Sequence, residues 1–223
     1  APGGNFHASV PVLPPFQADR LRGYASEIVG TSKRATGRRF RVAGLFAGIG
    51  GIERGLSAAG HEAALLCESD AGASRVLRER FPGVELATDV RELRSVGGAE
   101  LISAGFPCQD LSQAGRTAGI RGGNSGLVGH VFRLLDARRS GPHWLLLENV
   151  SFMLHLDRGR GMRFLVHELE SRGFEWAYRV VDTQAFGLPQ RRQRVILIAS
   201  RTDDPREVLF ADNTEPAQTS RPT

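Results

Sequence analysis

From Phe40 to about Ser200 the chain alternates short apolar runs with amphipathic stretches, and that alternation leaves few folds open. Arg41 to Phe46, Ala63 to Cys67, Val84 to Ala87, Leu101 to Ala104 and Trp144 to Leu147 read as strands, being brief, apolar and bounded by glycine, proline or polar residues. Gly51 to Ala59, Ala71 to Arg80, Leu127 to Ala137 and Met162 to Arg172 carry apolar residues at helical spacing, and Trp176 to Val181 and Val195 to Ala199 close the series as strands. Strand and helix in turn imply parallel strands joined by crossovers. The expected fold is therefore α/β, a doubly wound, mostly parallel sheet of Rossmann-like type, with sites at the carboxyl ends of its strands. Phe46, Glu68, Phe106 and Glu148 each fall at such an end, so one crevice can collect them.

A length of 223 residues suits one sizeable domain with a small appendage. Residues 1–39 hold four early prolines and the basic stretch Lys33 to Arg39, and read as an arm or linker; 40–200 read as the core; 201–223 read as a polar tail or truncated boundary. No apolar run approaches the length that crosses a bilayer, so a membrane role is not expected. The formal charge of +5 is almost entirely arginine, Lys33 being the sole lysine, which permits a nucleic-acid partner without requiring one. Two cysteines, Cys67 and Cys108, are too few for a disulfide framework or a thiolate zinc site and fit a reducing, intracellular setting: cytoplasm or nucleoid in a bacterium, nucleus in a eukaryote.

Several segments carry chemistry, each with a plainer alternative. The turn Phe46-Ala47-Gly48-Ile49-Gly50-Gly51 follows a strand and opens a helix, where Gly48 and Gly50 let a backbone approach a ligand or simply make a tight turn. Glu68 stands where an acid grips ribose hydroxyls, or is a solvated strand end. Asp89 can accept from an adenine amino group, or cap a helix beginning at Val90. Cys108, in the Pro-led loop Gly105-Phe106-Pro107-Cys108-Gln109, is a nucleophile if its thiol is acidified, with Arg192 and Arg194 as sources of positive field; alternatively those arginines are a basic surface turn. Glu148 ends an apolar strand, where burial pushes a carboxyl toward a proton-donating role, unless local backbone donors satisfy it.

Together, the turn at 46–51, Gly105-Phe106-Pro107-Cys108-Gln109, Glu148-Asn149-Val150, Phe186-Gly187-Leu188-Pro189-Gln190 and Gln190-Arg191-Arg192-Gln193-Arg194 closely resemble the cytosine-5 DNA methyltransferases over residues 41 to 200. The resemblance implies an S-adenosylmethionine-dependent methyltransferase fold whose cofactor pocket is lined by Phe46, Gly48, Ile49, Gly50, Glu68, Ser69, Asp89, Val90, Phe106, Pro107 and Leu127. Ser69 stands where the family often has a bulky residue, and Asn124 where it often has arginine. It implies that Cys108 attacks carbon 6 of cytosine while Glu148 contacts ring nitrogen 3, that Arg194, with Arg192 beside it, holds the cytosine oxygen, and that Asn149 fixes Pro107 and Glu148. The target base must leave the duplex for this chemistry. The family's target-recognition region is not visible after Arg201, so a fragment, or one subunit of a split enzyme with a second polypeptide reading the DNA, is expected. A non-catalytic binding or regulatory module of the same fold, and an RNA cytosine-5 methyltransferase, are the alternatives.

Overall fold

The computed structural model describes residues 38–107, 126–137 and 141–210, with the side chains of 156 and 157 left aside. In chain order the elements are β1 (Arg41–Leu45), α1 (Gly51–Ala58), β2 (Glu62–Cys67), α2 (Ala71–Arg80), β3 (Glu85–Ala87), β4 (Leu101–Ala104), α3 (Leu127–Asp136) and β5 (Trp144–Val150). Two 3-10 turns, Ser151–Leu154 and Leu156–Gly159, lead into α4 (Arg160–Glu170), followed by β6 (Glu175–Asp182), β7 (Gln193–Ser200) and the short α5 (Pro205–Leu209).

The strands form one sheet in the order β3-β2-β1-β4-β5-β7-β6. β3, β2, β1, β4 and β5 run parallel, and β7 runs antiparallel to β5. The register pairs Leu45 with both Cys67 and Ala104, and Ala104 with Leu147, so the carboxyl ends of the parallel strands share one edge. The near-continuous apolar composition of β4 and β5 follows from burial on both faces. On one face Ala43, Leu45, Ile102, Leu145 and Leu197 pack with Val131, Phe132 and Leu135 of α3 and Leu165 and Leu169 of α4. On the other, Val42, Leu101 and Trp144 pack with Phe40 and Leu56.

The described residues divide into two units. The larger comprises Arg38–Val181 and the chain from Gln193 onward; Asp182–Arg192 belongs to the other. Within that segment the Asp182 carboxylate accepts from the backbone N–H of Gln184 at 3.1 Å and of Arg192 at 3.3 Å, and the Thr183 N–H donates to the Arg192 carbonyl at 3.0 Å. These bonds close the loop on itself.

Three expectations change. Glu148 does not end its strand: β5 continues through Asn149 and Val150 because β7 pairs with it, Glu148 opposite Ile196 and Val150 opposite Arg194. No helix starts at Val90. The Asp89 carboxylate instead binds the Arg91 N–H at 2.8 Å, and a single turn follows, closed by the Glu92 N–H on the Asp89 carbonyl. Within 201–223, expected as a polar tail or truncated boundary without regular structure, Pro205–Leu209 form α5 with Pro205 and Leu209 buried, and the Arg201 guanidinium lies 4.3 Å from the centre of the Phe174 ring.

Candidate active site

The chain leaves β1 through a turn of unusual backbone conformation. Phe46 has φ 55°, rare for a residue with a side chain, and Gly48 and Gly50 have φ 56° and 83°. Gly50 is obligatory for a second reason: a Cβ there would lie 2.5 Å from Phe81 and 2.9 Å from Leu77. The Gly48 Cα, by contrast, faces open space, and the Ile49 side chain is 67% exposed. Glu68 fixes this turn. One carboxylate oxygen accepts from the Gly48 N–H and the other from the Asp70 N–H, both at 2.8 Å. Each oxygen retains accepting capacity for a ligand hydroxyl. Ser69 beside it is exposed.

Asp89, beyond β3, is gripped by its neighbour. Arg91 donates to it through Nε at 2.9 Å and Nη2 at 2.7 Å. Those bonds, with the Arg91 backbone N–H, pull the Asp89 carboxyl down to about 2. The Val90 side chain lies in the core and its carbonyl accepts from Arg133 at 3.0 Å. Leu127, opening α3, is half-buried against the same core.

The other half of the edge holds Phe106, Pro107, Glu148, Asn149 and Arg194. Arg194 Nε lies 2.7 Å from Glu148 Oε1, with both side chains partly exposed. The facing rows of β5 and β7 create this pair. Glu148 Oε2 turns toward Gly105, where a Cβ would come within 3.4 Å of it. Asn149, 5% exposed, donates from Nδ2 to the Phe106 carbonyl at 2.9 Å and accepts the Val150 N–H at Oδ1. It thereby ties β5 to the peptide that precedes Pro107. Phe106 is buried, whereas Pro107 is exposed. Cys108 lies outside the described residues, one position beyond Pro107; Arg192 lies in the Asp182–Arg192 segment.

Sequence reasoning missed Glu53. This residue of α1 is 2% exposed, accepts from Ser103 Oγ at 2.7 Å and leaves Oε2 without a hydrogen-bond partner. Burial pushes its carboxyl up. Gly44 makes room, since a Cβ there would lie 2.5 Å from Glu53 Oε1. The available signal was a glycine and a serine in the middle of two otherwise apolar strands.

The model for C-5 cytosine-specific DNA methylases matches residues 40–222. The chain belongs to this family. It is 48% identical over 186 residues to the type II methyltransferase M2.BsuMI of Bacillus subtilis (strain 168), covering 82% of this chain and 48% of that protein. It is 31% identical over 173 residues to M.BsuFI of Bacillus subtilis, covering 77% and 42%. The chain thus spans about half the length of these relatives. Among solved structures, S. pombe Dnmt2 methyltransferase superposes with a TM-score of 0.63 at 19% identity, covering 82% of this chain and 57% of that one. Entamoeba histolytica EhMeth gives 0.59 at 16%, covering 75% and 54%. At such identities these two show the fold alone, a seven-stranded Rossmann-like sheet flanked by helices.

Proposed function

We propose that this chain is the catalytic part of a DNA cytosine-5 methyltransferase, moving a methyl group from S-adenosylmethionine to carbon 5 of cytosine. One observation carries the reading: Asn149 fastens the Phe106-Pro107 peptide, the approach to Cys108, to the strand that presents Glu148 and pairs it with Arg194. The segment that runs into Cys108 in sequence, a carboxyl and a guanidinium are thereby held at one sheet edge.

The cofactor turn fits the nucleoside end of the methyl donor. Open space at Gly48, the exposed Ile49 and the remaining accepting capacity of Glu68 supply backbone approach, an apolar contact and a hydroxyl acceptor. Phe46, Ser69, Asp89, Phe106 and Pro107 complete that wall. S-adenosylmethionine, when bound, supplies an electrophilic methyl group. The Cys108 thiolate forms a bond to carbon 6 of the base, Glu148 steadies a proton at ring nitrogen 3, and Arg194 turns from Glu148 toward the ring oxygen. The electron density so gathered at carbon 5 makes that atom nucleophilic, able to bond to the methyl carbon as the methyl–sulfur bond breaks and its electron pair stays on the donor's sulfur as a neutral thioether. After transfer, a base takes the carbon 5 proton, the ring electrons re-form the double bond and the carbon–sulfur bond breaks. The type II names of the relatives suit a restriction–modification role.

The test combines calorimetric titration with S-adenosylmethionine and trapping on duplex DNA containing 5-fluorocytosine. A covalent adduct formed by the parent and absent in Cys108→Ser is expected. A folded chain that binds no cofactor, or an adduct that survives Cys108→Ser, refutes the reading.

A further inference from the structure

Immediately beyond Val150 the chain makes its two 3-10 turns and enters α4, and these pieces pack on one another. Their outer side is basic. Arg158, Arg160 and Arg163 are all exposed, as is His155, and Phe152 is 61% exposed. Against three arginines, the stretch from Ser151 to Arg163 holds one carboxylate, Asp157. Arg160, Arg163 and His167 share one face of α4 by helical spacing, while Leu165 and Leu169 face the core.

The dipole of α4 does not account for this charge. Cations at a helix amino terminus oppose the backbone dipole, which favours acids there, and the first turn of α4 contains no acidic residue. Arg158 is also held at φ 56°, a conformation that costs energy for arginine and that asparagine or glycine adopts more easily. Arg163 Nη1 donates to the Arg158 carbonyl at 3.2 Å, which keeps two of the three guanidinium-bearing residues close together. The topology puts this surface at the carboxyl end of β5, the same sheet edge as Glu148 and Asn149.

We propose that Arg158, Arg160 and Arg163 form a contact surface for the phosphate backbone of DNA flanking the target cytosine, with Phe152 as the adjoining apolar contact. The inference rests on the methyltransferase reading for the identity of the polyanion and on charge complementarity for the surface. Guanidinium groups suit phosphate oxygens in paired hydrogen bonds, and such contacts position a duplex without reading its sequence.

The experiment is fluorescence anisotropy of labelled duplex DNA against salt concentration, comparing the parent with Arg158→Asn/Arg163→Gln. Asparagine suits the left-handed backbone at 158, so the variant keeps its fold. Arg78→Gln/Arg80→Gln, which removes the same charge from the exposed carboxyl-terminal end of α2, is the control. Each lost phosphate contact lowers the log–log salt slope by about 0.9. A fall of about 1.8 in the first variant, with no fall in the control and unchanged melting temperature and S-adenosylmethionine affinity, is expected. Equal slopes in parent and variant overturn the surface. So does an equal fall in both doubles, which would report net charge alone, or a lowered melting temperature that accounts for the lost binding. Adduct formation on 5-fluorocytosine DNA reads the methyltransferase assignment separately: its absence in a parent that shows the slope difference refutes the chemistry and leaves the DNA surface standing.

Discussion

Glu68 and Glu148 stand on the same edge of one sheet, and what holds each differs. Glu68 is held by two backbone N–H groups, of Gly48 and Asp70. Glu148 is held by a side chain, Arg194. Backbone donors belong to the turn itself and cannot swing away, so Glu68 is a fixed part of the turn that we propose as the cofactor cradle. A guanidinium on a flexible stem can exchange partners, so in the mechanism we propose Glu148 passes from an internal ion pair to a substrate contact as Arg194 turns to the ring oxygen. The first arrangement suits binding that is the same before and after reaction; the second suits a group whose partners change during it.

The sharpest way to break this contrast is Glu148→Gln. The amide keeps the volume but cannot supply a proton at ring nitrogen 3, and Arg194 loses its charged partner. Methyl transfer should fall by about a hundredfold to ten-thousandfold, the usual range for a lost acid–base group, with S-adenosylmethionine affinity unchanged. Single-turnover rates and calorimetry together decide it; a parallel loss of cofactor affinity would show that the two glutamates are not separable.

Glu68→Ala attacks the other side. It frees the N–H groups of Gly48 and Asp70 and releases the turn that Phe46 and Gly50 hold at positive φ. Hydrogen bonds to a charged group are worth about 1.5–3 kcal/mol each, so cofactor affinity should weaken about tenfold to a hundredfold. The rate at saturating cofactor should change much less than in Glu148→Gln. If the rate collapses while the dissociation constant holds, Glu68 is not a binding residue.

This contrast also marks what the sequence let one read. The parallel sheet was legible because β4 and β5 begin as near-continuous apolar runs, and the tight turn after β1 was legible from its glycines, of which Gly50 has no room for a Cβ. Glu68 and Glu148 were legible as acids near strand ends. Their partners were not, because the Glu148–Arg194 pair depends on the antiparallel register of β5 and β7, which no local pattern encodes. The same pairing extends β5 past the point where its apolar run stops. The absent helix after Val90 has a local cause, the Asp89 side chain capturing the Arg91 N–H before a helical turn can form.

Glu53 tests a third kind of carboxyl, one buried and bonded to a hydroxyl, Ser103 Oγ. Its folded-state value lies above the ordinary 4.5 because burial disfavours the charge. The folded state therefore retains a proton that the unfolded state gives up. The contribution to stability is fully present below about 4.5 and is lost as pH rises through the folded-state value. Glu53→Gln keeps an acceptor for Ser103 and carries no titrating proton, so its urea midpoint should decline less than the parent's between pH 5 and pH 8. A parent and variant with parallel profiles would place Glu53 as an ionised group throughout.

The smallest effect is expected at Asp89, which like Glu148 is held by an arginine. Its carboxyl, ordinarily near 3.8, sits at about 2 because Arg91 binds it. The stabilising contribution of that depressed value is present above about 3.8 and is lost as pH falls through about 2. In Arg91→Ala the Asp89 resonance should titrate back toward 3.8 by carbon-detected NMR. At neutral pH the carboxylate is ionised in either protein. If Arg91 only occupies Asp89 until an adenine amino group replaces it, removing Arg91 should leave S-adenosylmethionine affinity within about threefold or tighten it slightly. A loss beyond about tenfold would mean that Arg91 itself touches the cofactor. Asp89 would then be fixed, as Glu68 is, and exchangeable pairing would be confined to the strand that carries Glu148.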